Sequence, residues 1–395
     1  MDARIVGWGH TPFGTLQNST LEDLIASVAI QAVEHAGVNF SDIDGVWLGH
    51  FNAGLVADGF ASSLVLNTND ALRFTPAVRV ENACASGSAA IYAARDAIRA
   101  GDTKIALVIG AEKMTACNTA EVTQALAGAS YQKEESGVSF PQIFARFAQQ
   151  YFQQYGNHSE TLAKIAAKNH ANAVHNPLAH LQKDLGFDAC NLVSDKNPMI
   201  AAPLRMTDCS LISDGAAALI MVADDIADEF THNIQFRAAV HVNDYLPMSR
   251  RDILAFEGPS QAFARAYAQA GVTVDDINFA EVHDCFTIAE LLIYEAMGLA
   301  KQGRGAHALD EGTVFRDGRL PVNLSGGLKA KGHPVGATGV SMHVMAARQL
   351  TGTANAMQSP NAQLGLVFNM GGSGVANYCS ILENGARYEP RKLAG

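Results

Sequence analysis

The chain of 395 residues is 48% hydrophobic, 17% charged and 7% aromatic, enough for two ordinary domains with cores and too apolar for a mainly disordered chain. Its 28 basic and 39 acidic residues give a net charge of −11, which argues against a broad nucleic-acid surface and predicts no nucleic-acid partner. No apolar run reaches the ~18 residues that a membrane span needs. Met1-Asp2-Ala3-Arg4 leads straight into an apolar run with no signal-peptide pattern, and Arg391–Gly395 carries no lipidation or retention signal. The six cysteines (84, 117, 190, 209, 285 and 379) include no C-x-x-C pair, which predicts free thiols and a reducing, cytoplasmic location.

In chain order, buried parallel strands are expected at Arg4–Gly7, Gly45–Leu48, Lys104–Gly110, Ala217–Val222, Gln235–His241, Asn278–Val282, Leu364–Asn369 and Ala376–Leu382. Helical periodicity marks Leu21–His35, Ser86–Ala100, Gly258–Ala270, Thr287–Leu299 and Gly339–Leu350. Alternation of the two predicts α/β layers. A shift of 234 positions carries Ala32 onto Ala266, Ala36-Gly37-Val38 onto Ala270-Gly271-Val272 and Asp42-Ile43 onto Asp276-Ile277. Each copy is a helix, a glycine stop, a short turn and a strand. The chain therefore reads as two similar halves, residues 1–233 and 234–395. A polar stretch at about 115–205, with an amphipathic piece at Pro141–Tyr155, interrupts the first as an insertion covering one face.

Four segments carry reactive side chains. Cys84 lies where an extended segment meets a helix of tiny residues, Ser86-Gly87-Ser88-Ala89-Ala90. There the positive end of the helix dipole is expected to favour a thiolate; a buried structural cysteine explains the same placement. His283 and Cys285, in Glu281-Val282-His283-Asp284-Cys285-Phe286-Thr287, stand at a strand's carboxyl end, where α/β sites gather. An imidazole beside a thiol suits proton transfer, and a strand-end histidine with a core cysteine is the alternative. His333 sits in Gly332-His333-Pro334-x-Gly336, a stiff loop that allows close approach of another segment. Phe368-Asn369-Met370-Gly371-Gly372-Ser373-Gly374 exposes backbone N–H groups to an oxyanion or is merely a tight hairpin. His170, His175 and His180 lack the company of a metal set and are expected on a solvated face. Cys117, Cys190, Cys209 and Cys379 default to packing.

Together the segments resemble the thiolase superfamily nearly end to end. Asn82-Ala83-Cys84-Ala85-Ser86-Gly87 is similar to its nucleophile segment, Cys209–Ala218 to the stretch closing its N-terminal half, and Gly332–Gly339 to its histidine loop. His283-Asp284-Cys285-Phe286 stands where ordinary thiolases carry Asn-Glu-Ala-Phe, and Phe368 stands where they keep a second cysteine. Both features resemble the sterol-carrier-protein-2 type. The resemblance implies the thiolase fold, two duplicated βαβαβαββ halves stacked in five layers with an inserted loop domain.

It also implies an acyl-CoA C-acyltransferase that needs no metal or permanent cofactor and takes CoA and acyl-CoA as substrates. Cys84 would be acylated with His333 as its base, Cys285 would be the acid/base, and His283 would serve the enolate oxygen. The backbone of Cys84, Met370 and Gly371 would form the oxyanion site. Arg250, Arg251 and Lys183 are candidates for the CoA phosphates, and Phe140, Phe144 and Phe147 for narrowing the acyl tunnel. A homodimer or homotetramer is implied, with a small partner protein as a further option. Two competing readings are a decarboxylating ketosynthase-like enzyme and a non-catalytic, partner-dependent acyl-CoA-binding relative.

Overall fold

The computed structural model describes residues 2–385; Met1 and the Arg391–Gly395 tail lie outside the described residues. The strands are β1 (Ala3–His10), β2 (Gly45–Gly49), β3 (Ala77–Val80), β4 (Ile105–Glu112), β5 (Met199–Ala201), β6 (Leu204–Arg205), β7 (Gly215–Ala223), β8 (Ile234–Asn243), β9 (Phe279–Val282), β10 (Leu364–Gly371) and β11 (Ala376–Asn384). The longer helices are α1 (Leu21–Ala36), α2 (Ser86–Ala100), α3 (Thr119–Ala127), α4 (Phe140–Tyr155), α5 (Ser159–Ala173), α6 (Glu257–Ala270), α7 (Thr287–Ala296) and α8 (Thr338–Leu350).

Local chemistry repeats with the expected shift. Gly37 and Gly271 both end a helix in the left-handed conformation, which costs glycine little. Asn39 with Asp42 and Thr273 with Asp276 then form matching capping boxes, and β2 and β9 follow. Outward from the seam between β1 and β8, the strand order is β1-β7-β4-β2-β3 on one side and β8-β11-β10-β9 on the other. A parallel Ala280–Val322 bridge stands beyond β9 where a fifth strand would lie. The seam itself is only Arg4 opposite Gln235 and Ile5 opposite Ile234.

Pairing departs from expectation. Only β2–β3, β2–β4 and β9–β10 are parallel; the other pairs are antiparallel. Helices cover both faces, so antiparallel β7 is buried at all nine residues and reads as the continuous apolar run of a parallel strand. α1 lies outside the first half-sheet and α6 outside the second, while α2 and α8 pack on each other between them. These are the five layers. No side chain separates the two central segments: a Cβ on Gly87 would lie 2.8 Å from the Gly336 carbonyl oxygen, and one on Gly336 would lie 2.5 Å from that of Ala111.

The insertion is not a polar cover. Phe144, Phe147 and Tyr151 of α4 are fully buried, and Phe144 stacks on Phe286 at 4.6 Å. His170 is buried in α5 with neither ring nitrogen bonded to a side chain, and His175 and His180 follow the helix rather than share its face. His170 therefore corrects the solvated-face reading; the apolar side of α5 had to turn inward to dock.

Burial also sets the acid response. It lowers His10, His170 and His333 to about 3, His343 to about 4 and His283 well below its ordinary value. Each of these rings stays neutral in the fold but charges in the unfolded chain below about pH 6.5. Asp284, raised to about 7 by burial and then by Glu290, offsets one of those protons. Stability should fall as pH drops from 6.5 towards 4, by about 1.4 kcal/mol per pH unit for each net proton the unfolded chain gains. Urea midpoints at pH 7.5, 6 and 5 measure this; a constant or rising midpoint would contradict the buried, neutral rings.

Candidate active site

Cys84 and His333 occupy equivalent places in the two halves, each just ahead of a central helix. Cys84 lies two residues before α2, and His333 five before α8. Ala83 takes a left-handed φ of 49°, a conformation that costs a β-carbon residue energy and collects at functional sites. The Ser86 hydroxyl, donating to the Ala83 carbonyl at 2.6 Å, and the Ala83 N–H, donating to Glu81, hold it there. Gly336 N–H donates to Glu112 Oε2 at 3.0 Å, and the same carboxylate takes the N–H groups of Phe51 and Asn52 and an ion pair with His50. One buried glutamate thereby ties the histidine loop to the ends of β2 and β4.

The Sγ of Cys84 and one nitrogen from each of His283 and His333 all lie within 4.8 Å of one another. The two rings meet edge to face, 5.2 Å between centroids. His333 Nδ1 lies 2.7 Å from Thr338 Oγ1, whose own hydroxyl donates to the Pro334 carbonyl at 3.0 Å. Thr338 thus accepts from Nδ1–H, leaving His333 Nε2 bare and able to take a proton. Cys84 and Cys285 share a cavity of about 200 Å³ with His333. Its remaining wall is largely apolar, including Phe51, Met114, Phe140, Ile200, Leu211 and Val335.

The resting thiol is not the thiolate expected from the helix end. Burial pushes Cys84 up to about 12, outweighing the opposite and smaller effect of the nearby Gly372 and Cys84 N–H groups. The side chain keeps some surface, but only towards the enclosed cavity, so stripping of water outweighs the dipole. His333 is held down to about 3, by burial and then by Lys331. Cys84 and His333 therefore rest as a neutral pair. Cys285 is raised well above its usual range by burial, then by Cys84 and Asp284. Cys84, His283 and His333 are also compact enough to hold a metal ion, but only if a thiol that burial keeps protonated were to ionise.

Cys84, whose backbone is one of the groups expected at an oxyanion site, lines the cavity. Met370 and Gly371 pair with Asn377 and Ala376 inside the sheet, and the next residue, Gly372, lines the cavity. Phe368 faces away, against Phe263 at 4.5 Å, and the residue of β10 that reaches the site is Asn369. Its amide nitrogen is 3.1 Å from the Cys84 carbonyl oxygen and 2.9 Å from His283 Nδ1. Arg251 binds Ser373 through both terminal nitrogens, Arg250 lies over the Tyr245 ring, and neither they nor Lys183 line the cavity. Phe140 does line it, whereas Phe144 and Phe147 belong to the core.

Sequence reasoning missed Asn369, Glu112, Thr338, Gly372 and Cys209, which also lines the cavity. Two had a signal. Glu112 is the carboxylate that ends an otherwise apolar run, and Asn369 is the polar residue between Phe368 and Met370. Asp284 accepts from Leu328 N, Lys329 N and Asn169 Nδ2, and Glu290 meets Lys168 Nζ at 2.9 Å. This buried network fastens the segment carrying His283 and Cys285 to α5 of the insertion.

Residues 3–188 match the family described as "Thiolase, N-terminal domain" and residues 239–384 match "Thiolase C-terminal domain-like". An acetyl-CoA acetyltransferase of Methanothermobacter thermautotrophicus is 37% identical over 94% of this chain and 97% of its own. Sterol carrier protein 2 of Homo sapiens is 30% identical over 93% of this chain and 69% of its own. Among solved structures, an Ltp2-ChsH2(DUF35) aldolase superposes with a TM-score of 0.84 at 23% identity, over 98% of both chains.

The neutral pair makes a prediction. Alkylation of Cys84 by iodoacetamide should rise about tenfold per pH unit from 6 to 9, because the thiolate fraction does so below a thiol pKa near 12. A plateau below pH 8 would show a resting thiolate and contradict the buried environment.

Proposed function

The chain belongs to the thiolase family, and from that premise we propose that it transfers acyl groups between CoA thioesters through an acyl-Cys84 intermediate. The observation that carries this reading is the convergence of Cys84, His283 and His333 within 4.8 Å at a cavity that also holds the Cys285 thiol. As Cys84 attacks the thioester carbonyl, His333 Nε2 takes its proton and then returns it to the departing CoA sulfur. The N–H groups of Cys84 and Gly372 would receive the tetrahedral oxygen.

In the synthetic direction Cys285 first gives its own proton to the bare Nε2 of His333 across the shared cavity; its thiolate then removes a proton from C2 of a second acyl-CoA, and the carbanion attacks the acyl-enzyme. In thiolysis it returns that proton. His283 holds the thioester oxygen on which enolate charge develops; His333, whose Nε2 is bare at rest, reaches it through water. The substrate supplies CoA, and the steps as written need no metal or redox group. Arg250 and Lys183 remain the candidates for CoA phosphates, since Arg251 already holds Ser373.

The same reading includes a second copy of the chain, because edge strand β3 leaves Val78 and the preceding Phe74 exposed. It also admits a small partner protein. The structural relative is named together with ChsH2(DUF35), and Leu192, Val193 and Met199 of the insertion stay exposed here. The free thiols suit a reducing, cytoplasmic setting; among the described residues no helix is long and apolar enough to cross a membrane.

A second reading has one observation in its favour: two imidazoles face Cys84, as a decarboxylating condensing enzyme would require. Condensation that depends on malonyl-CoA and survives Cys285→Ala would establish it.

The acyl-transfer reading is tested on the cysteines. Incubation with acyl-CoA followed by peptide mapping should find the acyl group on Cys84. Cys285→Ser should abolish thiolysis of 3-ketoacyl-CoA while leaving slow acylation of Cys84. Cys379, buried in the core opposite Phe368, should tolerate Ala with turnover intact and a stability loss of about 1 kcal/mol. Loss of turnover in Cys379→Ala but not in Cys285→Ser would reverse the assignment.

A further inference from the structure

We infer that Asn369 is a positioning residue whose amide fixes His283 in the tautomer carrying its proton on Nε2, and so keeps that ring a hydrogen-bond donor. What the donor acts on rests on the acyl-transfer reading above; the tautomer does not.

The argument starts from the Cys84 carbonyl. A carbonyl oxygen only accepts, so the Asn369 group 3.1 Å from it must be the NH₂. That excludes the flipped amide. At the other end, Oδ1 accepts the Ser88 hydroxyl at 2.8 Å. The NH₂ has two protons and faces two groups, the Cys84 carbonyl and His283 Nδ1. One proton goes to each, so His283 Nδ1 is an acceptor and carries no hydrogen. A neutral imidazole holds one N–H, and here it is left on Nε2. Burial keeps the ring neutral.

Two further observations support a built device rather than a chance contact. His283 Nε2 is buried and has no partner, although a buried donor left unpaired is costly to keep. Such an atom, on a ring that stands beside Cys84, is suited to an oxygen that arrives with substrate. The network is also packed around a glycine: a Cβ on Gly339 would come within 2.5 Å of Ser88 Oγ and 2.6 Å of Asn369 Oδ1. Thr338 orders His333 the opposite way, with Nδ1 protonated and Nε2 bare. The two rings at one sulfur thus carry opposite tautomers, one donor and one acceptor. Neither could exchange roles without breaking its partner's bond.

The test is long-range ¹H–¹⁵N spectroscopy of the intact protein labelled at histidine nitrogen, with peaks assigned by His283→Asn and His333→Asn. The wild type should show His283 protonated at Nε2 and His333 at Nδ1. Asn369→Asp, nearly isosteric, presents an acceptor to His283 Nδ1, so the proton should move to Nδ1 or the ring should become imidazolium. Deuterium exchange at C2 of acetyl-CoA should then fall about 100- to 1,000-fold, the loss typical of one oxyanion donor. Acylation of Cys84 should change far less. Asn369→Ala, which adds no charge, should give a mixture of His283 tautomers. A wild-type spectrum with His283 protonated at Nδ1, or an Nε2–H tautomer unchanged in either variant, would overturn the inference. The tautomers as stated in a protein that neither thiolyses 3-ketoacyl-CoA nor exchanges C2 protons would uphold Asn369 while removing the acyl-transfer reading.

Discussion

Everything at the site depends on two chain segments touching without side chains between them. The backbone at Gly87 and the Gly336 carbonyl approach so closely that an added Cβ would lie 2.8 Å from the oxygen. That contact lets the starts of α2 and α8, one from each half, lie together between the half-sheets. Cys84 and His333 are carried by those starts, far apart in sequence and side by side in space. Any larger residue would force the central layer apart, since an ordinary contact needs 3.4 Å or more where only 2.8 Å is left. The duplication is thus the source of the site: each half contributes the same structural position, and the two positions carry different chemistry.

A second consequence of that packing is dryness. Enclosure removes water from Cys84, Cys285, His283 and His333 together, and each stays in its uncharged form. The helix N-terminus and two N–H donors favour a thiolate at Cys84, but desolvation is the larger effect. In the proposed reaction, charge arises only when proton transfer from sulfur to imidazole is coupled to attack. Neutral rings have definite tautomers, and tautomers can be set by neighbours. That is why Thr338 and Asn369, neither of them able to do acid–base chemistry, matter to where protons can go.

Much of this was legible in the chain. The eight strand runs and five helical stretches fall on observed elements, because burial patterns and glycine stops are local properties. β3 escaped notice because its four residues are half exposed and lack an apolar run. Strand direction was misread because burial on both faces erases the alternation that marks an antiparallel strand. The four candidate residues that the fold brings together were legible because each sits at a turn with unusual composition. Their supporting residues were not: Asn369 and Glu112 act through hydrogen bonds to segments up to 285 residues away, and Thr338 through a loop geometry that brings its hydroxyl back to His333. No local pattern reports such a partner. Gly372 was missed by one position, since where a strand yields to a turn is the least certain boundary.

The insertion raises a last question, why charged groups are buried where it meets the second half. Lys168, Glu290, Asp284 and Asn169 form one network there, and burying ions commonly costs as much as their pairing returns. An apolar seam would hold the insertion in place at lower cost but would permit it to slide. The network has one geometry: Asn169 bridges the Asp284 and Glu290 carboxylates at 2.7 and 2.6 Å, and Asp284 in turn caps the turn at Leu328 and Lys329. Asp284 lies between His283 and Cys285 in the chain, so this register is transmitted directly to both. The insertion also supplies Phe140 to the cavity wall. A polar seam therefore aligns the cavity, the proposed container of the acyl chain, with the groups proposed to act on it, and the expense of burying charge is exchanged for a fixed distance between them.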